Sequence, residues 1–351
     1  MQNKAIDPMI LRRGALMTTS LVLSLAGFAA CITVGEPERT PFSAGAVQKT
    51  HPASNEHSGE DDQENSPTVA DYQSGATHAQ AADWTRILKQ KPQIRFQILH
   101  TGRVKVPRSG MLNLDHENLK GQAGDGEIFV DVYAYRICHT SRGCWLIDSG
   151  LDSSFRTGRG GNVSGLMAGD YIKGSEQSEG QDIRAQLDRL GDKPTPIQGV
   201  FFTHLHGDHT SGVPALPKDI RFIAGKDEAY INYYLLYYSD HLAGVQRLEE
   251  IDFTNAPVSS PLGRVVDLFG DGSFWAISTP GHSNGHVSYL LMTTDGPVLL
   301  TGDASHTRRG FEMGVEPGWT WNREKMRASL EQLIAFARKY PLVRVIFGHE
   351  L

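Results

Sequence analysis

Thr203-His204-Leu205-His206-Gly207-Asp208-His209 follows the apolar run Gly199-Val200-Phe201-Phe202 and leads into Thr210-Ser211-Gly212. Four metal-competent side chains fall within six residues. Two imidazoles at positions i and i+2 of an extended segment point the same way. Asp208 and His209 follow at the turn, where the chain can aim them at a second position beside the first. Imidazole and carboxylate together suit zinc and similar borderline ions. The plain alternative is a polar loop that happens to be rich in histidine.

Three later stretches decide against that alternative, because each repeats one pattern of strand, glycine and ligand candidate. Thr279-Pro280-Gly281-His282 follows Phe274-Trp275-Ala276-Ile277-Ser278, Thr301-Gly302-Asp303 follows Val298-Leu299-Leu300, and Gly348-His349 follows Val343-Arg344-Val345-Ile346-Phe347. Glycine lets the chain turn sharply at a strand end and direct the next side chain into a common cleft. The candidate ligands are therefore His204, His206, Asp208, His209, His282, Asp303 and His349. Seven donors are too many for one zinc with an open position and suit two ions sharing a carboxylate. A purely structural zinc site fits poorly, since such sites are closed by four Cys or His ligands.

The 351 residues hold one large domain or two small ones, and 39% hydrophobic with 21% charged residues is ordinary globular composition. A net charge of −6 gives no nucleic-acid footprint. The three cysteines, Cys31, Cys138 and Cys144, are too few for a disulfide scaffold. Lys4, Arg12 and Arg13 precede the uncharged, mostly apolar Gly14–Ala30, which ends in Ala29-Ala30-Cys31. A basic start, an apolar middle and small residues before a break describe an export signal over residues 1–30. The rival, a membrane anchor, is disfavoured by the short run and its Thr18-Thr19-Ser20 interruption. Residues 31–83 read as a disordered tether: Asn55–Pro67 is acidic and holds no aromatic or branched aliphatic residue to offset its ordering entropy.

The folded domain is expected over 84–351. Gln93–Leu99 alternates as a strand, and Glu127–Cys138, the turn His139–Gly143 and Cys144–Gly150 read as a β-hairpin. Cys138 and Cys144 flank that turn and could be cross-strand neighbours, which leaves a disulfide and two free thiols both open. Asp182–Leu190 and Asn322–Tyr340 have helical spacing, the second with Asn322 as cap and Pro341 as stop. Tyr230, Tyr233, Tyr234, Tyr237 and Tyr238 recur at helical spacing within Lys226–Val245, either as core or as an aromatic wall over a pocket. Strands dominate with helices between them, which predicts an α+β domain of two packed sheets covered by helices.

Taken together, these motifs resemble those of the metallo-β-lactamase-fold hydrolase superfamily over roughly residues 94–351. The resemblance implies a four-layer αββα sandwich, with His204, His206 and His282 on one ion, Asp208, His209 and His349 on a second, and Asp303 bridging. Two zinc ions, or other divalent transition metals, are the implied cofactors. It also implies a structural role for Asp148 near the site, and a supporting role for His286 in Pro280-Gly281-His282-Ser283-Asn284-Gly285-His286. Two adjacent cations lower the pKa of shared water, whose hydroxide attacks a carbonyl, phosphoryl or sulfuryl centre; Asp208 can ligate and also accept a proton.

Within the superfamily, the presence of Asp303 argues against a true β-lactamase. The chain ends without the glutathione-binding region of glyoxalase II, and the acidic balance disfavours a nuclease. The order of elements is similar to that of N-acyl-homoserine lactonases, in which a Tyr commonly lies three residues after the bridging Asp; here that position is His306, a departure. His306 is a catalytic candidate that can donate a hydrogen bond or protonate an alkoxide, or else a surface residue beyond the site. The expected function is lactone or ester hydrolysis of a small molecule. The alternatives are a phosphotriesterase, an aryl-ester or sulfate-ester hydrolase, and a catalytically silent metal-binding lipoprotein. Gly27-Phe28-Ala29-Ala30-Cys31 resembles a lipoprotein signal, which would place the domain in the periplasm or on the outer membrane through a lipid at Cys31.

Overall fold

The chain, described from a computed structural model, is defined over residues 67–74, 81–91, 93–122, 124–165, 168–191, 197–228 and 239–351. The export signal with Cys31, most of the tether and the tyrosines at 230–238 lie outside the described residues. The strands in chain order are β1 (Thr68–Asp71), β2 (Ile94–Pro107), β3 (Glu127–His139), β4 (Gly143–Ile147), β5 (Gly174–Glu176), β6 (Ile197–Phe201), β7 (Arg221–Gly225), β8 (Arg247–Ile251), β9 (Val265–Asp267), β10 (Phe274–Ser278), β11 (Val287–Thr293), β12 (Gly296–Leu300) and β13 (Arg344–Ile346). One half of the sheet runs β1-β8-β7-β6-β4-β3-β2, with β5 on β2; the other runs β9-β10-β11-β12-β13. The register joining them is a single pair, Thr293 beside Ile94.

The period-two alternation of the strands sorts their side chains into layers. Trp145, Ile147, Phe201 and Ile223 of the first half meet Val287, Tyr289, Leu291, Val298 and Leu300 of the second in one buried cluster. Their strand neighbours face the other way. Leu146, Val200, Phe202 and Phe222 pack beneath Ile183 and Leu187 of the helix Ile183–Arg189. Leu290, Met292 and Leu299 pack beneath Met326, Leu330 and Leu333 of the helix Arg323–Lys339. The expected helix–sheet–sheet–helix layering is what these clusters describe. Both helices start where the sequence places them: Asp182 accepts from the Ala185 N–H at 3.0 Å and Asn322 from the Lys325 N–H at 2.9 Å.

Three features differ from or refine the sequence reading. The strand expected over 93–99 runs on to Pro107, because an irregularity between His100 and Gly102 absorbs the break in alternation and lets β2 stay paired with β3. The stretch read as tether holds β1, parallel to β8 from Thr68 opposite Arg247 to Asp71 opposite Glu250. Tyr72 then stacks edge-on to Phe201 at 5.7 Å. The order there comes from pairing with a distant strand, which local composition does not encode. Cys138 and Cys144 are directly paired in the β3–β4 hairpin and form a disulfide, which resolves the two readings left open.

A pH effect follows from one buried histidine. His241 is 1% exposed, with ring nitrogens 2.8 Å from Thr210 Oγ1 and 3.3 Å from the Asn162 carbonyl. Burial pushes it down to about 4. A histidine with a depressed folded pKa is neutral in the fold, while the unfolded chain takes up a proton below about 6.5, so stability falls as pH drops from about 6.5 to 4. The shift corresponds to a contribution on the order of 3 kcal/mol over that window. His241→Gln is expected to flatten the pH dependence of the melting temperature of the metal-free protein between those limits. An unchanged slope would contradict the assignment.

Candidate metal centre

Every sequence-predicted ligand arrives at one edge of the layered core, and each does so from a strand end. β6 delivers His204 and His206 in extended chain. The short helical turn Gly207–Thr210, with His206 at its cap, then swings Asp208 and His209 round to a neighbouring position. β10, β12 and β13 deliver His282, Asp303 and His349. Asp303 lies in the turn Gly302–Ala304, with Gly302 at φ 52°, a conformation glycine adopts without strain. Gly348 is needed for space, since a Cβ there would lie 2.2 Å from Asp303 Oδ1.

The donors form two clusters, His204–His206–His282 and Asp208–His209–His349, and Asp303 stands between them, grouped with His204 and His209 and also with His282 and His306. Asp303 Oδ2 is 3.3 Å from His282 Nε2, 3.7 Å from His204 Nε2, 3.5 Å from His209 Nε2 and 3.6 Å from His349 Nε2. Asp208 Oδ2 is 3.6 Å from His209 Nε2 and 3.5 Å from His349 Nε2. Two donors of a tetrahedral zinc at ~2.1 Å lie about 3.4 Å apart, so this spacing fits an ion at each cluster. His206 Nδ1 and His282 Nε2 are closer, at 2.9 Å. The buried atoms His204 Nε2, His209 Nε2 and Asp303 Oδ1 have no hydrogen-bond partner. Such orphans are costly in a stable fold and are accounted for by a cation among them.

The outer ring nitrogens are pinned, which turns the inner ones toward the centre. His282 Nδ1 donates to the Trp319 carbonyl at 2.9 Å, His349 Nδ1 to the Asp131 carbonyl at 2.8 Å and His306 Nδ1 to the Met111 carbonyl at 3.0 Å. His209 Nδ1 donates to Asp148 Oδ2 at 2.9 Å. Each such bond fixes a tautomer with the lone pair on Nε2, as a metal ligand requires. Asp148 also accepts from the Thr203 N–H at 2.7 Å and from its hydroxyl, so the carboxylate orients both the β6 exit and the His209 ring. Its own φ of 55° is unusual for a non-glycine residue. His286 Nε2 accepts from the Asp303 N–H at 3.0 Å, with Nδ1 2.9 Å from Thr279 Oγ1, holding the backbone beneath the shared carboxylate.

Burial drives the His204 and His282 rings well below their usual range, which keeps them neutral and available as ligands. Burial also opposes a charge on His209, but Asp208, Asp148 and Asp303 outweigh it and hold its pKa well above the usual value. For Asp303 burial is outweighed by His306, His209 and His349, and the carboxyl stays well below the usual range.

His306 is at the centre and not on the surface. It is 1% exposed, its Nε2 is 3.1 Å from Asp303 Oδ2, and it lines the same cavity as His206, Asp208, His282 and His349. The cavity has a volume of about 330 Å³. Its polar floor is the candidate metal centre, and Val104, Val106, Met111, Val130, Ile172 and Trp319 form much of its apolar wall. Sequence reasoning missed that wall, the three carbonyl anchors and Glu228. Glu228 is 6% exposed and is raised to about 7 by burial, against hydrogen bonds from Ser283, Leu205 and Gly285. In the sequence it lies at the start of Lys226–Val245, where the helical spacing of the tyrosines draws the reading and nothing marks the carboxylate.

The fold and this convergence of donors define a metal-dependent hydrolase. A family profile described as the metallo-beta-lactamase superfamily matches residues 126–349, and the chain belongs to that superfamily. It is 27% identical over 258 residues to the N-acyl homoserine lactonase AttM of Azorhizobium caulinodans, covering 71% of this chain and 93% of that protein. It is 29% identical over 252 residues to an N-acyl homoserine lactonase of a Bacillus species, covering 69% of this chain and 91% of that protein. Among solved structures, a quorum-quenching N-acyl homoserine lactone hydrolase matches with a TM-score of 0.58 at 22% identity, over 74% of this chain and 94% of that one. That likeness is one of fold.

Proposed function

We propose that the chain is a dinuclear metal hydrolase that opens lactones of the N-acyl-homoserine type. The observation that carries this reading is one cavity whose floor is lined by five of the seven candidate donors, His206, Asp208, His282, Asp303 and His349, and whose wall is apolar. The donor spacing and the orphaned buried ring nitrogens support two divalent ions, with zinc suited to the imidazole and carboxylate set. When bound, the ions supply Lewis acidity to a substrate carbonyl and to a water. The chain's own residues do the rest. The apolar wall binds an acyl chain and excludes water from the reacting end. Asp208, part-exposed at the cavity floor, can take a proton from the attacking water. His306 Nε2 faces the same space as Asp303 and is placed to exchange a proton with the leaving alkoxide. With Nδ1 donated to Met111, Nε2 is the ring atom through which His306 would pass a proton to that alkoxide.

The test is metal analysis and turnover with purified domain. A homoserine lactone, an aryl ester and paraoxon are compared. Lactone turnover that dominates the panel is expected; two metals per chain with no turnover of any of the three would overturn the reading. The wall adds a graded prediction. Each methylene buried contributes ~0.8 kcal/mol, or about fourfold, so kcat/KM should climb along an acyl series from butanoyl toward decanoyl until the cavity is full. A flat series would remove the wall from substrate binding.

Export is part of the same proposal. The Cys138–Cys144 disulfide supports an oxidising compartment, and the leader ending in Cys31 supports a lipid anchor. Labelling of the wild-type protein with a radioactive fatty acid, lost in Cys31→Ala, is the expected result; equal labelling of both would contradict the anchor.

A further inference from the structure

We propose that Glu228 is a positioning residue for the metal centre: its carboxylate fixes the spacing between the loop carrying His204 and His206 and the loop carrying His282, acting through backbone N–H groups at the edge of the cavity it helps to line. Glu228 Oε2 accepts from the Leu205 N–H at 3.3 Å. Leu205 lies between the two histidines of the first loop. Glu228 Oε1 accepts from the Gly285 N–H at 3.1 Å and from the Ser283 hydroxyl, both in the loop that begins with His282. One carboxylate therefore spans two segments nearly eighty positions apart in the chain, each bearing ligands of the same cluster.

The turn that carries Glu228 is built for this placement. β7 ends at Gly225, and the chain reverses at Asp227 with φ 68°. Among the described residues, Asp227 shares positive φ outside glycine with Asp148 alone, which stands behind the other side of the centre. The turn is pressed against the His282 loop backbone to backbone. A Cβ on Gly225 would lie 1.9 Å from the Gly285 carbonyl oxygen, and one on Gly285 would lie 2.4 Å from that of Lys226. A buried carboxylate is costly unless its oxygens are bonded, and here both oxygens are committed to the two ligand loops. An ordinary packing role would need only a side chain of this volume. A carboxylate bonded on both sides does more, because it supplies two acceptors to two donors that face each other.

The inference rests on the metal centre and not on the lactone. Its readouts are zinc retention against a chromophoric chelator and the absorption spectrum of the cobalt-substituted protein. In Glu228→Gln the amide must turn its NH₂ toward one of the two N–H groups, so one loop is released while volume is conserved. Zinc affinity is expected to fall ~10–100-fold, the range for groups that orient ligands, and the cobalt bands to shift. Glu228→Asp keeps the charge but shortens the reach and should move both readouts the same way; it carries the test alone if the glutamine variant does not fold. Ser283→Ala, which leaves both backbone bonds in place, should change either readout much less. Wild-type affinity and an unshifted cobalt spectrum in a folded Glu228→Gln or Glu228→Asp protein would overturn the proposal. A wild-type protein that takes up no zinc would overturn it together with the metal reading, whereas metal binding without lactone turnover would leave it standing.

Discussion

Asp303→Ala is expected to remove at least one equivalent of zinc per chain and to lower kcat/KM by more than the roughly 100-fold at the upper end for groups that merely orient ligands. The reason is its place in the site. Asp303 Oδ2 is within 3.3–3.7 Å of ring nitrogens from both donor clusters, so its loss leaves two sets of donors without their common carboxylate. The variant should still fold. The turn Gly302–Ala304 is held by the Asp303 N–H on His286 and by Gly348 N–H on Ser305, bonds that do not use the carboxylate. Metal content by atomic emission and turnover of the preferred lactone, measured on the same sample, check the result. Unchanged zinc and rate would sink the shared-carboxylate assignment.

Phe201→Ala is expected to destabilise the metal-free protein by about 3–5 kcal/mol. Phe201 is fully buried, and its ring lies 5.7 Å from that of Tyr72, 5.1 Å from Trp145, 5.1 Å from Phe274 and 6.4 Å from Tyr289. It is the contact at which the two halves of the sheet and the edge strand β1 meet. Truncation loses transfer free energy and leaves a cavity that the surrounding aromatic rings cannot collapse into, whereas Phe201→Leu should cost under about 1.5 kcal/mol. Urea unfolding with a lowered midpoint and an unchanged slope is the expected signature. A loss below about 1 kcal/mol would mean that the core relaxes around the gap.

The candidate donors, and their convergence, were legible because each lies just after a strand, mostly beyond a glycine, a local pattern that survives without tertiary information. Family membership and the α+β layering followed from the same stretches. What escaped was non-local. The carbonyls of Asp131, Met111 and Trp319 anchor three rings, yet any residue type carries a carbonyl, so no sequence signal marks them. β1 was hidden because its partner strand is far away in the chain, with Thr68 opposite Arg247. The run-on of β2 was hidden by His100-Thr101-Gly102-Arg103, where an irregularity replaces alternation. Glu228 was hidden because its burial is decided by a turn at Asp227 and a loop from the other half of the sheet. His306 was visible as a position, while its burial against Asp303 needed the fold.

The two halves of the sheet share one paired residue, Thr293 with Ile94, yet each donor cluster draws from both: His204 and His206 with His282, Asp208 and His209 with His349. A bound ion would therefore act as a rivet through both leaves of the sandwich. Its binding free energy adds directly to the work needed to pull the leaves apart, because the donors of either cluster come together only when the leaves are docked. A chain whose halves had docked out of register would offer an ion fewer donors and would hold it more weakly.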